Sequence, residues 1–327
     1  MQTQCTRRGF LGVAGTAGLL LATGCSPGGA AGGQSGEVNI AHAFGKTTLP
    51  GPPQRVVSAG FTEQDDLLAL GIIPIATTEW FGNEPFAVWP WARARLGNAQ
   101  PQVLTLADGL QIDRIAALKP DLIVATNAGV DADTYDKLAA IAPTLPQSGR
   151  DAFFGPWKDQ AGTIGIATYQ QDAMRSLISG IDDKFAAVAT DKPQFKDKSV
   201  VLLAATPWQG TMTATLPGWR TDFLTQMGFA VPDNLSSYED DGRARIPLAE
   251  LSSALDDADL LIWTTESDAE QAALLADPSV AALRATRHNR NVFTTRELAA
   301  AIAFSSPLSL PLVADQLPPL LARAVGG

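Results

Sequence analysis

The sequence predicts an α/β protein of two Rossmann-like lobes with mainly parallel sheets, joined by one long α-helix. Three observations carry this. Short runs that are apolar throughout, such as 122–125, alternate with amphipathic helical patterns, and strands apolar on both sides belong to parallel sheets covered on both faces. One pattern occurs twice: "IDRIAALKPDLIVATN" (112–127) and "LAELSSALDDADLLIWTT" (248–265) each lead from a helix with an acidic residue, through a turn and an Asp, into a buried strand with a polar mouth. Between the two copies, Met174, Leu177, Ile178, Ile181, Phe185 and Val188 recur at spacings of three and four up to Pro193; a helix of ~20 residues is about 30 Å long.

The elements follow in order. Arg7-Arg8 precedes a short apolar run through Leu21, too short to stay in a bilayer as a helix, so residues 1–25 are a signal segment. "TRRGFLG" resembles a twin-arginine export signal, and "LATGC" (21–25) resembles a bacterial lipobox whose Cys25 becomes the acylated first residue. The Gly-rich 26–36 is a flexible tether. Residues 37–168 form the first lobe, 169–193 the interlobe helix and 194–327 the second lobe. In the first lobe, strands are predicted over 55–60, 72–78 and 120–126. Helices are predicted over 62–71, capped by Thr62 and stopped by Gly71, over 111–119 with Ile112, Ile115, Ala116 and Leu118 on one face, and over 131–142. In the second lobe, strands are predicted over 199–206, 258–265 and 291–295, and helices over 218–228, 248–255 and about 307–324.

Composition narrows the function. Of 327 residues, 34 are acidic and 24 basic, a formal net charge of −10, which argues against a nucleic-acid partner. Cys5 and Cys25 are the two cysteines, so the processed domain has neither a disulfide nor a thiol nucleophile. No nucleophile elbow, phosphate loop or dinucleotide fingerprint is present, so the chain reads as a non-enzyme. Two His, His42 and His288, are too few to grip bare zinc or manganese. Three Tyr, none at a predicted strand end, serve free ferric ion poorly. No metal-ligating side chains and no cofactor are therefore expected; iron, if carried, arrives inside a chelator.

Four segments in the right order resemble the iron-siderophore binding proteins of bacterial ABC importers. "IAHAFGKTTLPGPPQRVVSAG" (40–60) is similar to their opening hairpin and first strand, and "EQDDLLALGIIPIATT" (63–78) to the next helix and strand. "LQIDRIAALKPDLIVAT" (110–126) matches their most recognisable segment, and "WKDQAGTIGIATYQQDAM" (157–174) the lead-in to their interlobe helix. The resemblance spans about 37–323. It implies a ferric siderophore held between the lobes, small closure on binding, and delivery to an ABC permease by a monomer lipid-anchored at the outer face of the cytoplasmic membrane. It also implies that one acidic residue on each lobe meets basic residues of the permease; here these are Asp113, where the family has Glu, and Glu250. A haem or cobalamin receptor of the same fold, or an envelope lipoprotein whose cleft docks a protein, remains open.

In open α/β sheets ligands bind beyond the carboxyl ends of the strands. Those ends give Phe61, Thr62 and Glu63; Thr78, Glu79, Trp80 and Phe81; Thr126 and Asn127; Thr206, Pro207, Trp208 and Gln209; Thr264, Thr265 and Glu266; and Arg296 and Glu297. The loop 79–95 adds Phe86, Trp89 and Trp91, and Phe153, Trp157 and Trp219-Arg220 can join it. Such a concentration of aromatics suits a large, partly flat ligand. An arginine contact is expected from among Arg93, Arg220, Arg243, Arg245 and Arg296. The expected ligand set is Phe61, Trp80, Phe81, Trp89, Asn127, Trp208, Trp219, Arg220, Arg245 and Arg296.

Overall fold

The computed structural model describes residues 36–149 and 153–326. The export signal with Arg7 and Arg8, the lipobox Cys25 and all but the last residue of the tether lie outside the described residues. An antiparallel hairpin, β1 (Val38–His42) and β2 (Gly45–Leu49), opens the described chain. The first sheet holds β3 (Val56–Ser58), β4 (Ala76–Thr78), β5 (Gln102–Leu104), β6 (Leu122–Ala125) and β7 (Thr144–Pro146), in the order β5-β4-β3-β6-β7 and parallel throughout. All four residues of β6 are fully buried, which explains why its sequence is apolar on both faces.

The second sheet holds β8 (Val200–Ala204), β9 (Thr211–Thr215), β10 (Glu239–Asp240), β11 (Arg243–Pro247), β12 (Leu260–Thr264) and β13 (Asn291–Phe293), in the order β10-β11-β9-β8-β12-β13. β8, β12 and β13 run parallel and match β3, β6 and β7 of the first sheet. The repeated sequence pattern therefore occupies the same place in both sheets, ending in β6 and in β12. Where the first sheet continues with parallel β4 and β5, the second turns back into an antiparallel meander of β9, β11 and β10. This meander is not among the elements expected from the sequence, and the helix expected over 218–228 spans only Asp222–Gln226.

Helix α1 (Glu63–Ala69) follows β3, and α2 (Ile112–Ala117) leads into β6. Ile115 alone on α2 is fully buried; Ala116, expected on the same face, is exposed. α3 (Ala132–Ala139) is capped by Asp131, whose side chain accepts from the Thr134 N–H at 2.8 Å. α4 (Trp157–Ala167) passes into α5 (Gln171–Asp191), the 21-residue connection between the sheets, about 31 Å long. Met174, Ile181 and Phe185 of α5 are buried in one cluster with Val200 and Leu202 of β8 and with Val313 and Leu317 of the last helix. α4 and α5 pack closely at Gly165, where a Cβ would stand 2.7 Å from that of Met174. The second lobe closes with α6 (Arg296–Phe304), capped by the Thr295 hydroxyl on the Leu298 N–H, and α7 (Ser309–Gly326).

Candidate functional site

The first lobe presents its strand ends through a buried acidic turn. The carboxylate of Glu63 accepts from the backbone N–H of Gly60 (2.7 Å) and of Asn127 (2.8 Å), and from the Thr126 hydroxyl (3.0 Å). It thereby ties the loop after β3 to the loop after β6. Gly60 is required here: a Cβ would lie 2.3 Å from Glu63 Oε1 and 2.6 Å from the Asn127 backbone. Glu63, expected at the cleft, is thus fully buried and structural. Thr62 stands at the start of α1 but caps nothing; its hydroxyl accepts from Gln160 (3.0 Å) and Asn127 (3.2 Å) side chains.

Asp65 and Asp66, one turn further, are equally buried. Asp65 accepts from the indole N–H of Trp91 (2.8 Å) and from the hydroxyl of Ser306 (2.5 Å), so it links the two lobes. Asp66 accepts from Gln160 (2.7 Å). Burial drives the carboxyl of Glu63 up to about 7 and that of Asp65 up to about 6, and it raises Asp66 well above the usual range. The hydrogen bonds they accept oppose these shifts without cancelling them.

A cavity of about 270 Å³ lies between the carboxyl ends of the two sheets. Trp80, Phe81 and Phe154 form its first-lobe wall. Trp80 meets Phe81 edge-on at 4.5 Å and Phe154 at 4.8 Å between ring centroids, the spacing of favourable aromatic pairs. The opposite wall comes from the meander: Thr213 and Thr215 of β9, Arg243 of β11 and Arg220 from the connection between them. Thr264, the last residue of β12, and Glu266 just after it line one side, and Ala299, Ala300, Ile302 and Ala303 of α6 form an apolar floor. The half-buried guanidinium of Arg220 lies over the Trp219 ring at 4.2 Å and the Phe154 ring at 5.4 Å. Burial, with the charge of Arg243 nearby, lowers Arg220 to about 10, and it stays cationic at neutral pH.

Of the expected ligand set, Trp80, Phe81 and Arg220 line this cavity. The other seven do not, each for a physical reason. Phe61 stacks on Trp80 from behind at 5.7 Å. Trp89 is 2% exposed in a second tier, stacked on Trp91 at 5.1 Å. Asn127 is buried, and its side-chain oxygen accepts from the Phe154 N–H at 2.8 Å; it positions the wall without reaching the space. Trp208 is 61% exposed because β8 reverses through a tight turn and points it outward. Trp219 lies beneath Arg220 as its support. Arg245 pairs with Asp240 at 2.7 Å. Arg296 pairs with Glu84 at 3.0 Å, and Arg93 also pairs with Glu84, which makes Glu84 a tie between the loop after β4 and helix α6. The set omitted Arg243, Phe154, Thr213 and Thr215. Strict alternation in "TMTAT" (211–215) and "RARI" (243–246) was the available signal for the last two and for Arg243. Asp113 is exposed in the first turn of α2, and Glu250, also exposed, accepts from the Tyr238 hydroxyl at 2.9 Å.

A profile of the periplasmic binding protein family matches residues 56–298, from β3 into α6. The chain belongs to this family. Periplasmic binding proteins of this kind are solute-binding proteins rather than enzymes. A crystal structure of a periplasmic solute binding protein from Mycobacterium smegmatis is 62% identical, with a TM-score of 0.85 over 89% of this chain and 99% of that one. PiaA of Streptococcus pneumoniae, solved with ferrichrome, has the same fold at 23% identity and a TM-score of 0.73, over 88% of this chain and 99% of that one. Among curated relatives, the lipoprotein YhfQ of Bacillus subtilis, a putative ABC transporter substrate-binding protein, is 28% identical over 62% of this chain and 61% of its own length. The Fe(3+) dicitrate-binding periplasmic protein FecB of Escherichia coli is 29% identical over 59% of this chain and 64% of its own. The chain thus spans less than two thirds of the length of these curated relatives. Among the described residues no helix is long and apolar enough to cross a membrane.

Proposed function

We propose that this protein captures a ferric siderophore in the cavity between its lobes and hands it to an ABC permease, without chemistry of its own. The observation that carries this is the composition of the cavity, an aromatic wall facing a hydroxyl and guanidinium wall across the gap between two sheets. Such walls recognise the outer surface of a chelate by stacking and hydrogen bonding. Iron, as cargo, is held through its chelator alone. The relatives named for ferric dicitrate and solved with ferrichrome support the same reading. The buried seam along α5 suits limited closure about a preformed site, the behaviour expected when packed helices resist hinge motion.

The same proposal places the protein as a monomer at the outer face of the cytoplasmic membrane, anchored through Cys25, which raises its effective concentration near the permease. Asp113 and Glu250, exposed on equivalent elements of the two lobes, are the proposed docking charges; such pairs set register more than affinity.

Tryptophan fluorescence of the full chain tests the reading. Titration with ferrichrome, ferric dicitrate and haem separately should show quenching by a ferric siderophore-type chelate. Trp80→Ala should weaken that binding, and Trp208→Ala should leave it unchanged. Quenching by haem alone would replace the siderophore with a macrocycle, and silence from every small molecule would overturn the proposal in favour of a protein partner.

A further inference from the structure

Given the cleft reading above, on which it rests, we infer that the ligand is an anionic chelate, bound with its negatively charged pole against the second lobe and its less polar side against Trp80, Phe81 and Phe154. Five arginines lie at or near the cleft, and they divide into two kinds. Arg93 and Arg296 are both spent on Glu84, and Arg245 on Asp240. Arg220 and Arg243 line the cavity itself, and neither has an ion-pair or hydrogen-bond partner among the described residues. That is an unusual state in a chain with 34 acidic residues against 24 basic ones.

The cost of this arrangement marks it as a site. Arg220 is partly desolvated and sits close enough to Arg243 for the two charges to repel. Its guanidinium lies against the rings of Trp219 (4.2 Å) and Phe154 (5.4 Å), while its N–H groups have no hydrogen-bond partner among the described residues. A planar fork of donors held in this way matches a carboxylate or other planar oxyanion bidentately. Glu266 is the one carboxylate lining the cavity among the described residues, and it lies exposed at the rim after β12. Among the described residues, two guanidiniums against one carboxylate give the cavity lining a surplus positive charge inside a protein of net charge −10. Thr215, opposite Arg243, and Thr213, two residues along the same strand, add hydroxyl donors to the same wall, whereas the first-lobe wall offers rings. A neutral chelate could accept hydrogen bonds from the guanidiniums but would leave their charge uncompensated, and a cationic one would be repelled.

The test compares three ferric chelates by tryptophan quenching of the full chain: ferric dicitrate, which is anionic, ferrichrome, which is uncharged, and ferrioxamine B, which is cationic. Ferric dicitrate should bind tightest. Arg220→Gln and Arg243→Gln should each weaken it by roughly 10- to 100-fold, the loss expected for one charged hydrogen-bonding partner. Arg220→Lys should recover part of that loss by restoring charge without the fork. Arg243 is exposed on a strand, so its variant folds even if Arg220→Gln does not; melting curves check both. Equal or tighter binding of ferrichrome or ferrioxamine B, with the glutamine variants unaffected, would overturn the charge assignment and leave the proposed function standing. Quenching by none of the three would remove the chelate reading and this inference together.

Discussion

The buried acidic turn makes stability rise on mild acidification, opposite to the usual behaviour of carboxylates. The folded state holds Glu63 at about 7 and Asp65 at about 6, and Asp66 is raised as well, all by burial. In the unfolded chain they ionise near 4. Between those values the folded state binds more protons than the unfolded one, so stability present below pH 4 is lost as pH rises through 6–7. Moving from pH 7 to pH 5 recovers two pH units of the difference at Glu63 and one at Asp65. At about 1.4 kcal/mol per unit and group, the gain is about 4 kcal/mol, to order of magnitude. His42, whose pKa burial lowers, works against this gain below its unfolded value of 6.5. For a domain of this size the melting temperature should rise by roughly 10 °C. Differential scanning calorimetry at constant ionic strength measures it. The double variant Asp65→Asn, Asp66→Asn should reduce the rise but keep the share of Glu63, about two thirds of the gain worked above. A wild-type melting temperature that is flat or lower at pH 5 would refute the argument that these three carboxyls are desolvated without a compensating cation.

Two further outcomes follow from the cleft's supports. Gly60→Ala forces a Cβ into the Glu63 carboxylate and the Asn127 backbone; a loss of about 3 kcal/mol is expected in urea unfolding, and an unchanged midpoint would show that this junction is looser than described. Glu84→Ala strands Arg93 and Arg296; because Glu84 is nearly buried but both arginines are half-exposed, the stability cost should stay near 1 kcal/mol. The larger effect should be faster chelate release in stopped-flow, and an unaltered off-rate would exclude Glu84 from holding the two lobes together.

The repeated pattern at 112–127 and 248–265 was legible because buried parallel strands are apolar on both faces, and it placed β6 and β12 correctly. The interlobe helix was legible from the spacing of Met174, Ile181 and Phe185, which are its buried residues. The meander of β9 and β11 was harder to see, since its outward positions are Thr and Arg and its inward ones include small Ala214 and Ala244. Missing it had two consequences. The strand-end rule assumes that a strand runs on into a helix, so Trp208, on a tight reversal, was expected inside and stands outside. The wall carrying Thr213, Thr215 and Arg243 went unassigned. Glu63 and Arg296 misled for another reason. Both are charged residues at strand ends, and both are consumed by neighbours that only the folded chain brings near: the Gly60 and Asn127 amides for one, Glu84 for the other. Trp80 and Phe81, expected from their place after β4, do line the cavity, where they pack edge-on against each other.

A crystal structure of the full chain grown with ferric dicitrate, with iron located by its anomalous signal, tests the central claim most directly. The account requires a single iron between Trp80 and Arg220, with every bond to it made by the chelator and the chelator's outer oxygens on the second-lobe wall. Iron ligated directly by protein atoms, or bound away from that gap, would contradict it.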